Sequence, residues 1–122
     1  MEIYIKAFKK RFNVKASNKN MRKVYEQQLK MAKIDAANDT DADTDITETF
    51  KNNLAVIDST EDFIDTILKL TAKQRDVLED LDQAATVDMA NHISMRLLGM
   101  SEKDIKKANE PDKEETGDQG KK

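Results

Sequence analysis

Hydrophobic and polar residues alternate along the opening of the chain. In MEIYIKAFKKRFNVKAS, Ile3 and Ile5 fall on one side of a first run, and Phe12 and Val14 fall on one side of a second, with Lys and Arg between them. This period of two is typical of strands that are buried on one face. The two runs predict a β-hairpin over residues 2–15. Since two strands alone are marginally stable in water, we expect the hairpin to pack on a helix.

Beyond Ser17 the apolar residues recur at intervals of three and four, which indicates helices. The predicted helices cover residues 18–37, 46–57, 60–70, 72–81 and 87–98. The spacing leaves open whether 46–57 and 60–70 form one bent helix or two. The apolar stripe of helix 46–57 consists of Ile46, Phe50, Leu54 and Ile57. We expect this stripe to face the core.

Residues that favour helix ends punctuate this pattern. Ser17 or Asn18 can cap the first helix, while Thr71 and Thr86 are the predicted N-caps of the last two. Asp45 and Glu48 form a pair like a capping box before helix 46–57. Gly99 is expected to end the last core helix in the left-handed conformation. Ser101 is expected to begin a further turn or two around Ile105.

The end of the sequence has a different composition. The segment after Ala108, NEPDKEETGDQGKK, has no aliphatic or aromatic residue and contains the only proline. Such a segment cannot bury enough apolar surface to offset its ordering entropy, so residues 108–122 are predicted to be a disordered tail. The expected fold class is mainly α: one domain over residues 1–107, a small helical bundle with a short N-terminal β-hairpin.

The overall composition excludes several classes of protein. The chain of 122 residues has no cysteine, which excludes disulfides, thiolate nucleophiles and cysteine-ligated metals. No apolar run approaches the roughly 18 residues that span a bilayer, and the N-terminus lacks the apolar core of a signal peptide. We therefore expect a soluble cytoplasmic protein that makes no membrane contact.

The segment DTDADTD, Asp39–Asp45, resembles a calcium-binding loop because aspartates occupy every second position. An EF-hand loop also needs a glycine at its sharp turn and a glutamate at its end. With the first aspartate as the start, Thr44 takes the place of the glycine and Phe50 that of the glutamate. With the second, Ile46 and Asn52 take these places. Both registers fail, so we predict a solvated acidic loop and no metal site.

Catalytic groups are scarce in this sequence. The only histidine, His92, lies in the middle of a predicted helix with no cysteine to pair with it. Acid pairs such as Glu79 with Asp80, or Asp62 with Asp65, lie on amphipathic helices beside Lys and Arg, as a solvated face would. No glycine-rich phosphate loop, nucleophile elbow or zinc motif occurs. We expect neither an enzyme nor a cofactor.

The charge distribution suggests nucleic acid as an alternative partner. Residues 1–33 hold ten Lys and Arg against two acids, and such a basic quarter could contact phosphates. Helices 72–81 and 87–98 have the order of a helix-turn-helix. However, the second of them offers only Arg96 and also carries Asp88. A small nucleic-acid-binding regulatory protein is therefore the second hypothesis, and a helical adaptor with another partner is the third.

Methionines near the end of the predicted core give the candidate partner-binding residues. Met89 and Met95 fall off the apolar stripe of helix 87–98, Met100 follows in its cap, and Ile105 lies beyond. Methionine is flexible and polarizable, and it recurs on surfaces that accept varied partners. Packing against the hairpin or the preceding helix is the other interpretation. The pattern leaves both open.

The succession of elements resembles a known family. The stretches MEIYIKAFKKRFNV, ASNKNMRKVYEQQLKMAKI, FIDTILKLTAKQRDVLEDLD and ANHISMRLLGMSEKDI follow one another and precede a charged tail. This order is similar to that of the tail assembly chaperones of long-tailed, siphovirus-type phages and prophages of Gram-positive bacteria. The resemblance covers residues 1 to about 107, and RLLGMSEKDI is its most suggestive part.

The resemblance implies a function without catalysis. Such chaperones bind the long helical tape measure protein and keep it soluble until tail tube subunits polymerise around it. It also implies contact with the tail tube protein and a frameshift-extended form of the chain. The codons of residues 120–122 could supply a run of G and A that suits ribosomal slippage, and codon choice decides this. A homo-oligomer is compatible with it. The implied location is the cytoplasm of the infected or lysogenic host, and not the mature virion.

Overall fold

The computed structural model describes residues 1–39 and 46–109, and it begins with the predicted hairpin. Strands β1 (Glu2–Ile5) and β2 (Lys10–Asn13) pair antiparallel and are joined by a 3-10 turn, Lys6–Phe8. Ile3 lies opposite Phe12, and both are buried. The alternation therefore turns one face of the hairpin to the core and leaves the charged face in solvent, as predicted.

Within the described residues, five helices follow the hairpin, and their order confirms the mainly helical fold. They are α1 (Asn18–Asp39), α2 (Ile46–Leu68), α3 (Ala72–Asp80), α4 (Gln83–Leu97) and α5 (Glu102–Asn109). The open question about residues 46–70 is answered, because α2 is one continuous helix. Among the described residues, no helix is both long enough and apolar enough to cross a membrane.

The start of α4 corrects one predicted cap. The helix begins four residues earlier than expected, and its N-cap is Asp82, whose carboxylate accepts a hydrogen bond of 2.8 Å from the backbone N–H of Ala85. Thr86 is instead a buried residue inside the helix, where its hydroxyl donates to the carbonyl of Asp82 at 3.0 Å. Asp and Thr are both capping residues, so local sequence could not choose between them.

The other predicted caps that fall on described residues are confirmed. Ser17 accepts a hydrogen bond from the backbone N–H of Asn20 at the start of α1, and Thr71 forms a capping box with Gln74 at the start of α3. Ser101 begins α5 by accepting from the N–H of Asp104. The proposed pair of Asp45 with Glu48 lies partly outside the described residues.

The end of α4 has the left-handed glycine that the sequence predicts. Gly99 has φ +105°. Its N–H donates to the carbonyl of Arg96 at 3.1 Å, and the N–H of Met100 donates to the carbonyl of Met95 at 3.0 Å. This pair of bonds is a Schellman motif, which satisfies carbonyls that the helix end leaves free. The chain then turns so that α5 can lie against α4.

The core lies where the hairpin, α1, the second half of α2, and α4 meet. Phe8 and Phe12 pack edge to face in it, with 5.8 Å between ring centroids. Its buried side chains are Ile3, Ile5, Phe12, Val14, Val24, Phe63, Ile64, Ile67, Leu68, Leu70, Leu78, Met89, Ala90, Ile93 and Leu97. Burial of this aliphatic set is the main source of stability expected for the fold.

The predicted tail begins at residue 108, but α5 continues to Asn109. The remainder of that prediction, residues 110–122, lies outside the described residues.

Candidate partner-binding surface

The α1–α2 pair is buried at one end only. A buried polar contact fixes the pair: the amide nitrogen of Gln27 lies 3.3 Å from the hydroxyl of Thr60, and the hydroxyl of Ser59 donates to the Gln27 amide oxygen at 2.9 Å. Beyond this contact, none of the described side chains of residues 28–37 and 46–59 is buried. This half of the pair therefore has surface available to a partner.

The uncovered half of α2 carries a row of large apolar side chains. Ile46 is 65% exposed, Phe50 61% and Leu54 59%. The prediction of an apolar stripe is right in its periodicity, but the expectation that it faces the core is wrong for these three residues. We call Ile46, Phe50 and Leu54 the open stripe.

The open stripe continues into the core along the same side of α2. At about 100° per residue, Ile57, Ile64 and Leu68 lie within the same arc of about 80° around the helix axis as the open stripe. Ile64 and Leu68 are buried and Ile57 is half-buried. α4 packs on this side of α2 and begins at Gln83. Its first turn lies near residues 56–61 of α2, so the part of the stripe that precedes residue 56 has no cover in the described chain.

A cavity of about 190 Å³ marks the point where cover begins. Val56 and Ile57 of α2, Leu81 of the α3–α4 connection and Val87 of α4 supply its apolar wall. The open stripe thus leads along α2 into a recess with apolar walls.

Two carboxylates stand at this cavity. Glu61 of α2 and Glu79 of α3 both line it. Partial burial, a hydrogen bond with Glu79 and the negative charges of Glu79 and Asp58 together raise the pKa of Glu61 above its ordinary value of 4.5. In the described part of the chain, neither Glu61 nor Glu79 forms an ion pair with a lysine or arginine. Within the described residues, the recess therefore has negative charge that no lysine or arginine balances by an ion pair.

A second exposed apolar pair lies on α1. Tyr25 is 58% exposed and Leu29 59%, and they are one turn apart. By the helical repeat they lie on the side of α1 opposite Gln27, which faces α2. They are therefore separate from the open stripe.

The four predicted partner-binding residues do not form one exposed patch. Met89 and Ile105 are 8% and 5% exposed, while Met95 and Met100 are half-buried. Of the two interpretations that the sequence left open, packing holds for Met89, which belongs to the core cluster. Its position on α4 also faces the hairpin turn, which the helical repeat of α4 alone does not show. Partner binding by these residues stays a prediction.

A charged cluster holds α5 against α4. Glu102 lies 2.8 Å from Nε2 of His92 and also accepts a hydrogen bond from Arg96. Partial burial raises the pKa of Glu102, but hydrogen bonds from Arg96 and His92 and their positive charges outweigh this effect and hold the pKa below 4.5. His92 thus has a structural contact that sequence spacing did not reveal. The cluster helps to keep Ile105 buried.

The acidic segment that suggested a calcium loop lies mostly outside the described residues. Within residues 1–39 and 46–109, no three His, Cys, Asp or Glu side chains are arranged to hold a metal ion.

The basic side chains of the first quarter are dispersed over the hairpin and α1. Lys10 lies 5.3 Å from the ring centroid of Phe12, and Arg11 lies over the ring of Tyr4 and near Glu2. These contacts with neighbouring rings and one carboxylate are typical of a solvated outer face.

Comparison with known proteins gives one match. The family model described as phage tail assembly chaperone proteins, TAC, matches residues 1–112. The comparisons with curated proteins and with solved structures give no match. Since the family model covers nearly the whole chain, including every helix and strand described above, this chain belongs to the phage tail assembly chaperone family.

Proposed function

We propose that this tail assembly chaperone acts by binding the tape measure protein through the open stripe of α2. The observation that carries the proposal is the exposure of Ile46, Phe50 and Leu54 on one side of one helix. Three such side chains, about 60% exposed, present roughly 300 Å² of apolar surface, which is the size of patch that often marks a binding site. A solvated apolar row on a chaperone is a surface for another protein's apolar segment.

The chemistry of the presumed partner fits this surface. A long helical protein that awaits assembly exposes apolar stripes and aggregates unless they are covered. An apolar face of α2 can cover such a stripe by packing helix against helix. Because each of the three side chains is small in area, the contact would be of moderate strength, and polymerising tail tube subunits could displace it.

The biological setting follows from this mechanism. We infer a non-catalytic protein that works in the cytoplasm of an infected or lysogenic Gram-positive host, in the assembly of a siphovirus-type tail. It would leave the tape measure protein as the tube forms and would be absent from the mature virion. A frameshift-extended form and the tail tube protein would be further partners.

Co-expression with the tape measure protein encoded in the same tail gene cluster tests the proposal. The wild-type chain should keep that protein soluble and co-purify with it. The double variant Phe50→Ser with Leu54→Ser should lose most of this capture. The matched control is Tyr25→Ser with Leu29→Ser, which changes two equally exposed apolar residues on the other side of the pair and should retain capture.

Two results would refute the proposal. One is equal capture by the wild-type chain and the α2 double variant, with both folded by circular dichroism. The other is no capture of the tape measure protein together with retention of DNA in a gel-shift assay, which would favour the nucleic-acid alternative.

A further inference from the structure

We propose that the open stripe recognises a basic amphipathic helix, with a lysine or arginine of that helix held between Glu61 and Glu79. This inference rests on the proposed function and adds the charge of the segment that is recognised. Apolar side chains of the partner would lie on Ile46, Phe50 and Leu54, and the cation would enter the adjoining cavity.

Continuity with the packing inside the protein supports a helix as the occupant. α4 packs on α2, and Ile64 and Leu68 on this side of α2 are buried. The open stripe extends this side toward the start of α2, and the cavity lies between the covered and uncovered parts. A partner helix laid along the open stripe would therefore continue an existing helix–helix interface with the same kind of side chains.

The rest of this sequence offers no suitable cover for the stripe. The residues outside the described ranges read TDADTD and EPDKEETGDQGKK. Their only apolar side chains are those of Ala42 and Pro111, so these segments cannot bury three large apolar side chains. These two segments therefore do not supply the occupant.

Charge around the cavity indicates the sign of the partner. The charged residues that line this cavity and its neighbour along α2 and α3 are five acids and one cation, Arg75. Arg75 is already bonded to the carboxylate of Asp65 at 3.4 Å and to the carbonyl of Leu70 at 3.0 Å. Glu61 and Glu79 thus remain without a cation within the described chain. A partner's ammonium or guanidinium group would supply it, and an acidic partner would be repelled.

Binding of defined peptides to the full chain tests this inference. The probes are two labelled peptides of about 20 residues, which span about 30 Å as helices. Both carry the same leucine stripe, and their polar faces differ only in having lysine or glutamate. Fluorescence anisotropy at low salt should show binding about tenfold tighter for the basic peptide, with the preference shrinking as salt is added.

Variants of the acid pair identify the residues responsible. Glu61→Gln with Glu79→Gln should weaken binding of the basic peptide roughly three- to fivefold, the range of partly exposed charge pairs, while the glutamate peptide binds no worse. The control is Asp35→Asn with Asp76→Asn, which makes the same change in net charge at two exposed positions that do not line the cavity and should retain the affinity. Equal affinity for the two peptides, or equal loss in the control, would overturn the inference.

Three further outcomes separate this inference from its foundation and from self-association. If Glu61→Gln with Glu79→Gln captures the tape measure protein as well as wild type while the Phe50 and Leu54 double variant does not, charge recognition is refuted and the proposed function stands. If wild type prefers the basic peptide but fails to capture the tape measure protein, the proposed function is refuted. Recognition of a basic helix by the open stripe would still stand. The last outcome concerns dimers. If sedimentation shows that wild type dimerises and the open-stripe variant does not, and the basic peptide does not compete with dimer formation, a second copy is the occupant and the inference is overturned.

Discussion

The contrast between the two halves of α2 gives a quantitative prediction about stability. Leu54 and Ile64 are isomeric side chains on one side of one helix, but Leu54 is 59% exposed and Ile64 0% exposed. Replacing Ile64 by Ala should lower the free energy of unfolding by about 2–5 kcal/mol, because it removes buried carbon and leaves a cavity. Full burial of a leucine is worth about 1.5–3 kcal/mol, so the covered two-fifths of Leu54 contributes roughly 1 kcal/mol. The better helix propensity of alanine offsets part of this loss.

Urea unfolding of both variants, followed by circular dichroism, measures the difference. Leu54→Ala should shift the midpoint little and leave the slope unchanged, while Ile64→Ala should lower the midpoint strongly. The loss for Ile64→Ala should be at least twice that for Leu54→Ala. Comparable losses of more than about 2 kcal/mol for both would show that the open stripe is buried in the free protein, and the reasoning would fail. Repeating the measurement at several protein concentrations would then show whether self-association buries it.

Four other substitutions probe α4 and the contact it makes with α5. Glu102→Gln should destabilise the protein at neutral pH. Since the folded-state pKa of Glu102 lies below 4.5, its contribution is present above that value and is lost as the pH falls through the lowered pKa. The difference from wild type in thermal midpoint should therefore vanish at acidic pH, and a difference that persists there would refute a role for its charge. Gly99→Ala should cost about 1 kcal/mol through backbone strain alone, because φ is +105° and no atom lies within 4 Å of the added Cβ; an unchanged urea midpoint would contradict this. Met89→Ser should cost about 2–5 kcal/mol because the side chain is buried, while Met95→Ser, half-buried, should cost clearly less in the same assay; equal losses would place both in the core.

The Glu61 carboxyl, which we propose binds the partner's cation, should affect the pH dependence of stability in the opposite sense to Glu102. Its pKa is raised, so the folded protein is favoured at low pH and loses that advantage as the pH rises through the raised value. Glu61→Gln should accordingly leave the free protein at least as stable at neutral pH while it weakens binding of a basic helix. A residue that lowers the stability of the free protein and binds a partner is typical of a functional surface.

Local patterns identified most of the elements because they depend on neighbours in sequence. The alternation around Ile3 and Phe12, the caps at Ser17 and Thr71 and the glycine at the end of α4 all act within a few residues. The start of α4 was misplaced because Asp82 and Thr86 satisfy the same local rule. Continuity of α2 was left open because the spacing of its apolar residues is compatible with one bent helix or two.

Such patterns predicted only part of the candidate surface. Periodicity placed Ile46, Phe50 and Leu54 on one side of a helix but assigned that side to the core. For Met89 the pattern left packing and partner binding open, because the helical repeat of α4 does not include the hairpin that lies against it. The meeting of Glu61 with Glu79, on different helices, has no signal in local spacing.

By itself, the sequence determined which segments are helical or extended, which side of each is apolar, and that neither cysteine chemistry nor a nucleotide-binding loop is present. Tertiary structure decided which apolar sides are covered. An apolar stripe shows only that a side chain favours burial, and whether it is buried depends on the reach of another element. The cover that α4 gives to α2 begins at the cavity and does not reach the start of α2. The same stripe is therefore buried at Ile64 and exposed at Phe50.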